Sequence, residues 1–196
     1  MAHPGVITGD DRVARCWWCG DDPVYRAYHD DEWGRPLHDE RALFELLCLE
    51  GFQAGLSWIT ILRKRPAFRT AFAGFEIEAV AGFGATDIAR LLADAGIVRH
   101  RGKITATIAN TQAVLALHEA GSSLDDLVWS YAPAPHRRAP RAIAEIPDKT
   151  AASAKLARDL RRRGMRFVGA TTAYAFMQSA GLVDDHLAGC HCAGAR

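Results

Sequence analysis

The chain has 196 residues, 49% of them hydrophobic, and a formal net charge of +1. This content suits a globular core and excludes a disordered chain, and the length allows one core or two small lobes around a cleft. No run reaches the roughly 20 apolar residues of a membrane helix, and the first residues lack the apolar segment of a signal peptide, so a cytosolic protein with no membrane partner is expected.

Residues 1–14 hold Pro4, Gly5, Gly9 and few large side chains, and are expected to be a flexible tail. Residues 15–196 are expected to form a single compact helical domain, with two lobes around a cleft. Asp39 is placed to cap a helix carrying Leu43, Leu46 and Leu47. A second helix is predicted near Leu56 to Lys64, and Pro66 is placed to open a third at its first position. Thr86 is read as the cap of a helix ending at Gly96. A long helix follows with Ile104, Ile108, Thr111 and Leu115 on one stripe. A short helix near Leu124 to Tyr131 leads into a Pro-rich loop over Ala132 to Pro140. Ser153 to Arg162 and Val168 to Ala180 are the last two helices, broken by Gly164 and ended by Gly181. No run alternates convincingly with period two, and no repeat is present, so the fold class is all-α.

Charge is unevenly distributed along the chain. Residues 21–50 hold nine acids against three arginines, and residues 137–166 hold ten bases against three acids. A basic stretch of that kind suits either a phosphate backbone or a solvated helix face. Cys16 and Cys19 lie near one end, Cys190 and Cys192 near the other, and Cys48 stands alone on a helix. Reduced cytosolic thiols grouped in this way read better as metal ligands than as disulfides. With His29 after Cys16, and His186 one helical turn before Cys190, they can form a closed tetrahedral site of the structural type. That site would tie the two termini together. On spacing alone Cys19, His191 and Cys192 are rival ligands.

The segment Arg161-Arg162-Arg163-Gly164-Met165-Arg166-Phe167-Val168-Gly169-Ala170-Thr171 joins a basic helix to a tight turn and a new helix. Glycines and a helix N-terminus let backbone N–H groups approach a phosphate. The segment resembles the hairpin of the helix-hairpin-helix glycosylase superfamily, with the pattern L-P-G-V-G-x-K-T-A. Thr171 stands where bifunctional members carry a Schiff-base lysine, so a lyase acting through that nucleophile is not expected. Downstream, Val183-Asp184-Asp185-His186 stands where many members carry V-D-T-H with a catalytic Asp.

Trp17, Trp18, Trp33 and Trp58, with Tyr25 and Tyr28, comprise four of the five tryptophans and half of the four tyrosines. Flat walls suit a flipped base, and a cationic base gains further from ring faces. Glu50 continues the stripe of Leu43, Leu46 and Leu47, and a carboxylate facing inward needs a partner or a function.

Longer blocks carry a closer resemblance. Asp22-Pro23-Val24-Tyr25, Ala27-Tyr28-His29-Asp30 and Asp31-Glu32-Trp33-Gly34 resemble the opening of the 3-methyladenine DNA glycosylase I family. Leu49-Glu50-Gly51-Phe52-Gln53-Ala54-Gly55-Leu56-Ser57-Trp58 resembles its L-E-x-x-Q-A-G-L-S-W segment. The stretch from Asp94 to Ile104 and Phe167-Val168-Gly169 are similar to two more of its blocks. The resemblance implies a helix-hairpin-helix glycosylase fold with structural zinc held by Cys16, His29, His186 and Cys190. It implies a base pocket with Tyr28, Glu50 and Trp58, walled by Trp18 and Trp33, with Glu50 and Tyr28 as catalytic candidates and Glu50 ionised. The hairpin candidates for DNA contact are Arg163, Gly164, Arg166, Val168 and Gly169. The family commonly has Asn where this chain has Asp184, so Asp184 joins the catalytic candidates. The implied activity is monofunctional hydrolysis that frees 3-methyladenine, with 3-methylguanine as a second candidate base, from double-stranded DNA. An abasic site is left, and a monomer is expected. Competing readings are a non-enzymatic zinc module for nucleic acid, a glycosylase for another base, and a zinc hydrolase or deaminase. The last lacks the combined signature of H-x-E with P-C-x-x-C.

Overall fold

The computed structural model describes residues 5–134 and 138–194. Arg137 of the basic stretch and part of the Pro-rich loop lie outside the described residues. Among the described residues the chain is mostly helical, with nine α-helices. None of them is long and apolar enough to cross a membrane.

Two short strands, β1 (Val6–Thr8) and β2 (Ala14–Cys16), pair antiparallel with Val6 opposite Cys16. Residues 6–8 and 14–16 are therefore paired strands where a flexible tail over residues 1–14 and no strand are expected from the sequence. The pairing is too short to alternate visibly, and Val6 gains a neighbour by packing on the cysteine cluster around Cys16 and Leu187.

Helix α1 (Pro23–Asp31) starts at Asp22, whose side chain accepts from the amides of Val24 and Tyr25, with Pro23 in the first turn. Helix α2 (Glu40–Gln53) starts at Asp39, whose carboxylate accepts from Ala42 N at 2.8 Å, as the sequence predicted. From Leu43 to Phe52 every residue of α2 is buried, so it is a central helix covered on all sides and not a one-faced one. Each fully buried Leu or Phe contributes about 1.5–3 kcal/mol.

Helix α3 (Trp58–Ala71) runs straight through Pro66, which does not open a new helix. Pro inside a helix costs roughly 3 kcal/mol, and here Leu62 and Phe68 are buried on either side of it. Phe68 then leads the aromatic stack Phe52, Phe68, Phe72 and Phe75. Helices α4 (Ile77–Ala81) and α5 (Ala85–Ala93) follow. The start of α5 is held by the Asp87 carboxylate, which accepts from Gly84 N at 3.1 Å, not by Thr86, and the helix ends before Gly96. Helix α6 (Arg101–Glu119) packs on α4 and α5, and α7 (Leu124–Trp129) packs on α2.

Helices α8 (Ala151–Arg162) and α9 (Ala170–Ser179) lie against each other, and α9 also lies against α2. The connection from α1 to α2 crosses the end of α9, where Gly34 N donates to Gln178 O at 3.0 Å and Leu37 N to Ala180 O at 3.1 Å. Gly181, at φ +74°, makes this crossing possible, because a Cβ there would meet the carbonyl carbon of Arg35 at 2.2 Å. Helices α1, α2 and α9 are thereby locked around one space.

Candidate functional site

That space is a cavity of about 400 Å³ lined by Trp18, Tyr25, Tyr28, Trp33, Glu50 and Trp58, among others. All five residues expected to form the base pocket are in its wall. The rings meet mostly at an angle: Trp18 lies 5.0 Å from both Tyr25 and Trp33, and Tyr28 lies 5.6 Å from Trp58, centroid to centroid. Tilted packing of this kind holds aromatic walls rigid.

Helix α2 carries two buried acids that differ in their surroundings. Glu45 is ion-paired with Arg65 at 2.5 Å and Arg69 at 2.9 Å, so its charge is neutralised by structure. Glu50, 3% exposed, has no cation beside it among the described residues. Its Oε1 accepts from Ser179 Oγ at 2.9 Å, and Ser179 Oγ in turn accepts from Tyr28 OH at 2.9 Å. Its Oε2 and the indole Nε1 of Trp58 are buried with no partner. An orphan acceptor and an orphan donor in one cavity wall are costly unless a ligand satisfies them. Burial pushes the Glu50 carboxyl up to about 8, opposed by the Ser179 hydrogen bond. With its carboxyl raised in this way, Glu50 is mostly protonated near neutral pH. Burial, and then the nearby Glu50, drive the Tyr28 phenol well above its usual value, so it stays a neutral donor.

Asp184 is not among the residues that line the cavity. Its Oδ1 accepts from the backbone N and ring Nδ1 of His186, the latter at 2.8 Å, and its Oδ2 accepts from Gly194 N at 3.0 Å. Of the two adjacent acids the one in the cavity wall is Asp185, which accepts from Tyr174 OH at 2.6 Å and Gln178 Nε2 at 2.9 Å. Two adjacent residues face different ways, and the motif V-D-D-H cannot say which acid faces the cavity. Ser179, Tyr174 and Gln178 were also missed, because nothing in their helical spacing separates them from ordinary core positions on α9.

Beside the cavity lies a cluster of thiols and imidazoles. One ligand atom each from His29, His186, Cys190 and Cys192 falls within 4.8 Å of the others, and all four residues are buried. Cys190 Sγ is 3.4 Å from His29 Nε2. Cys16, the fourth ligand of the implied set, is outside that foursome, but its thiol hydrogen-bonds to Cys190, raising the Cys16 thiol and lowering Cys190. Both imidazoles have Nδ1 against a carboxylate at 2.8 Å, His29 on Asp30 and His186 on Asp184. That turns each Nε2 toward the thiols: the Nε2 of His29 meets Cys16 N at 3.3 Å and Cys190 Sγ at 3.4 Å, and among the described residues the buried Nε2 of His186 has no partner. Clustered buried thiols, carboxylate-anchored imidazoles and an orphan ring nitrogen fit a tetrahedral zinc ion. Cys19 belongs to neither metal-ligand grouping; its thiol donates to Cys16 O at 3.2 Å.

The hairpin presents its charges outward. Arg163, Gly164 and Arg166 are exposed, while Met165 and Val168 are buried and anchor the turn. Asn110 of α6 clamps the turn by accepting from Arg166 N at 2.8 Å and donating to Arg166 O at 3.2 Å. Arg163 is 3.4 Å from Asp159, so part of its charge is already engaged. Gly169 is the N-cap of α9, and no side chain caps that helix, so its first amides have no side-chain acceptor.

The fold that carries this cavity is similar to that of solved DNA glycosylases. A crystal structure of 3-methyladenine DNA glycosylase I superposes with a TM-score of 0.88 at 50% identity, covering 91% of this chain and 98% of that one. A variant of 3-methyladenine DNA glycosylase I in complex with 3-methyladenine superposes with a TM-score of 0.86 at 39% identity, covering 90% and 96%. In sequence the chain is 49% identical over 181 residues to DNA-3-methyladenine glycosylase 1 of Escherichia coli (strain K12), covering 92% of this chain and 97% of the relative. The chain belongs to the methyladenine glycosylase family, whose model matches residues 18–193.

Proposed function

We propose that the protein is a base-excision repair glycosylase. It hydrolyses the N-glycosidic bond of 3-methyladenine in alkylated double-stranded DNA, releasing the free base and leaving an abasic site. The single observation that carries this reading is Glu50, a buried acid with an unpartnered oxygen in an aromatic cavity, in a chain of this family.

The hairpin supplies the grip on DNA in a helix-hairpin-helix manner. The exposed Arg166, part of the charge of Arg163 and the uncapped N-terminus of α9 meet phosphates, while Gly164 and Gly169 let backbone approach closely. Val168 holds the turn to the core. The damaged nucleotide flips out at a cost of a few kcal/mol. Methylation at N3 makes the base in DNA a permanent cation. Glu50 gives up its proton to solvent as the cation enters, and its Oε2 accepts from the exocyclic amine. Trp58 stacks on the base and Trp18 and Trp33 close the walls, while Tyr28 supports Glu50 through Ser179.

A cationic purine is already a good leaving group. The bond from C1′ to N9 breaks with its electron pair passing to the purine, which departs neutral. The oxocarbenium-like sugar is attacked by water, which forms the new C1′–O bond and releases a proton to solvent. Asp185, held by Tyr174 and Gln178, places a carboxylate in the same wall, whereas Asp184 anchors His186.

Zinc held by His29, His186 and Cys190, with Cys16 as the fourth ligand the family implies and Cys192 as the rival within reach, is the structural cofactor. A closed set of four nitrogen and sulfur ligands leaves no position for a reacting water, so its contribution is to fasten the termini beside the cavity. The protein is expected to act as a cytoplasmic monomer.

The test is direct. DNA treated with a methylating agent and incubated with the protein is expected to release 3-methyladenine, identified by chromatography, in preference to unmodified adenine. The amount of 3-methylguanine released beside it gives the selectivity. Release of no methylated base would reject the proposal.

A further inference from the structure

The space between Tyr28 and Glu50 is filled by one hydroxyl, that of Ser179, the last residue of α9. We infer that Ser179 is a positioning residue that decides which oxygen of Glu50 meets the bound base. The inference rests on the reading of the cavity as a base pocket.

The argument is one of proton counting. A serine hydroxyl has a single proton to donate. Tyr28 OH donates to Ser179 Oγ at 2.9 Å, and Ser179 donates its own proton to Glu50 Oε1 at 2.9 Å. Oε1 is therefore committed as an acceptor in either ionisation state. When Glu50 is neutral its proton sits on Oε2, and when it is charged Oε2 is the oxygen with no partner in the protein. The same atom faces the ligand in both states, as donor and then as acceptor. The terminal torsion of a glutamate is broad and roughly two-fold, so nothing intrinsic to the side chain makes this choice.

Ser179 is itself held in place from outside the cavity. Its neighbours Gln178 and Ala180 each accept a backbone hydrogen bond from the connection between α1 and α2, at 3.0 and 3.1 Å. The other ionisable groups in the cavity wall are Tyr25 and Tyr28 of α1, Tyr174 of α9, Asp185 and Asp148, with Cys16 at its edge. Among the described lining residues there is no Lys, Arg or His, and the one side-chain donor to Glu50 among them is Ser179.

The experiment follows binding of 3,9-dimethyladeninium, a permanent cation that mimics the methylated nucleoside, by tryptophan fluorescence from about pH 6 to 9. Ser179→Ala is expected to weaken binding roughly tenfold or more, since hydrogen bonds to charged groups are the strong ones. It is also expected to move the pH midpoint of binding upward, because the anion of Glu50 loses its donor. Ser179→Thr restores both quantities. Ser179→Cys, close to serine in volume and a weak donor, moves the midpoint in the same direction as Ala. A midpoint unmoved in both Ser179→Ala and Ser179→Cys, or a loss of affinity with no shift in midpoint, would overturn the inference while leaving the base pocket standing. A wild-type protein that binds the cation at no pH would overturn both.

Discussion

Glu50→Gln is expected to raise the melting temperature by about 10 °C near pH 8–9 and to leave it unchanged near pH 4. The reason is linkage between ionisation and folding. The Glu50 carboxyl is raised by burial from 4.5 to about 8 in the folded protein. Below the lower value both folded and unfolded chains carry the proton, and the site contributes nothing to pH dependence. As pH rises from there towards 8 the unfolded chain ionises and the folded one does not, so stability falls; above about 8 the loss is complete. The loss is on the order of 3–5 kcal/mol. Gln keeps an oxygen for Ser179 and cannot ionise, so its advantage should grow across that window and then level off. The same variant should lose most of its affinity for a cationic base, making Glu50 a site where stability is given up for recognition. Thermal melts of both proteins at several pH values check this, and parallel melting curves at every pH would contradict it.

The second large effect concerns the metal. The purified protein is expected to contain about one zinc per chain, and His186→Ala to lose it and to melt at least about 10 °C lower. Structural zinc contributes on the order of 10–16 kcal/mol in small peptides, so even a fraction of that value is a large share of a domain's stability. Asp184→Asn provides a graded control. It keeps the ligand but removes the carboxylate that holds His186 Nδ1. Zinc affinity should fall roughly 10–100-fold, read by competition with a chelator, while single-turnover excision at saturating zinc changes little. Comparing Cys16→Ser with Cys192→Ser identifies the fourth ligand, since only one should abolish stoichiometric zinc. Protein that is fully folded and free of metal as isolated would contradict this account.

These effects show where the sequence was informative. The capped start of α2 at Asp39 and the glycine-broken hairpin between α8 and α9 are local signals, set by side chains a few residues apart, and they were legible. The aromatic cluster was legible too, because Tyr25, Tyr28 and Trp33 sit on or beside one short helix. Pro66 misled because local preference favours Pro in a first turn, while tertiary burial of Leu62 and Phe68 carried the helix through it. Thr86 misled because the carboxylate of Asp87, one residue on, served as the cap instead. The contrast between Glu45 and Glu50 was not readable at all. Both are buried acids of α2, and only the fold reveals that arginines from α3 neutralise one and leave the other with a serine from α9. The same holds for Asp184 and Asp185, where adjacent identical residues serve different neighbours.

The most direct test compares the affinity of the protein for 3,9-dimethyladeninium with that for neutral 9-methyladenine as pH rises from about 6 to 9. The account predicts a preference for the cation of roughly tenfold or more that grows with pH until Glu50 is fully ionised, and that disappears in Glu50→Gln. Equal affinities for the two bases, or a preference indifferent both to pH and to the loss of that carboxylate, would contradict it.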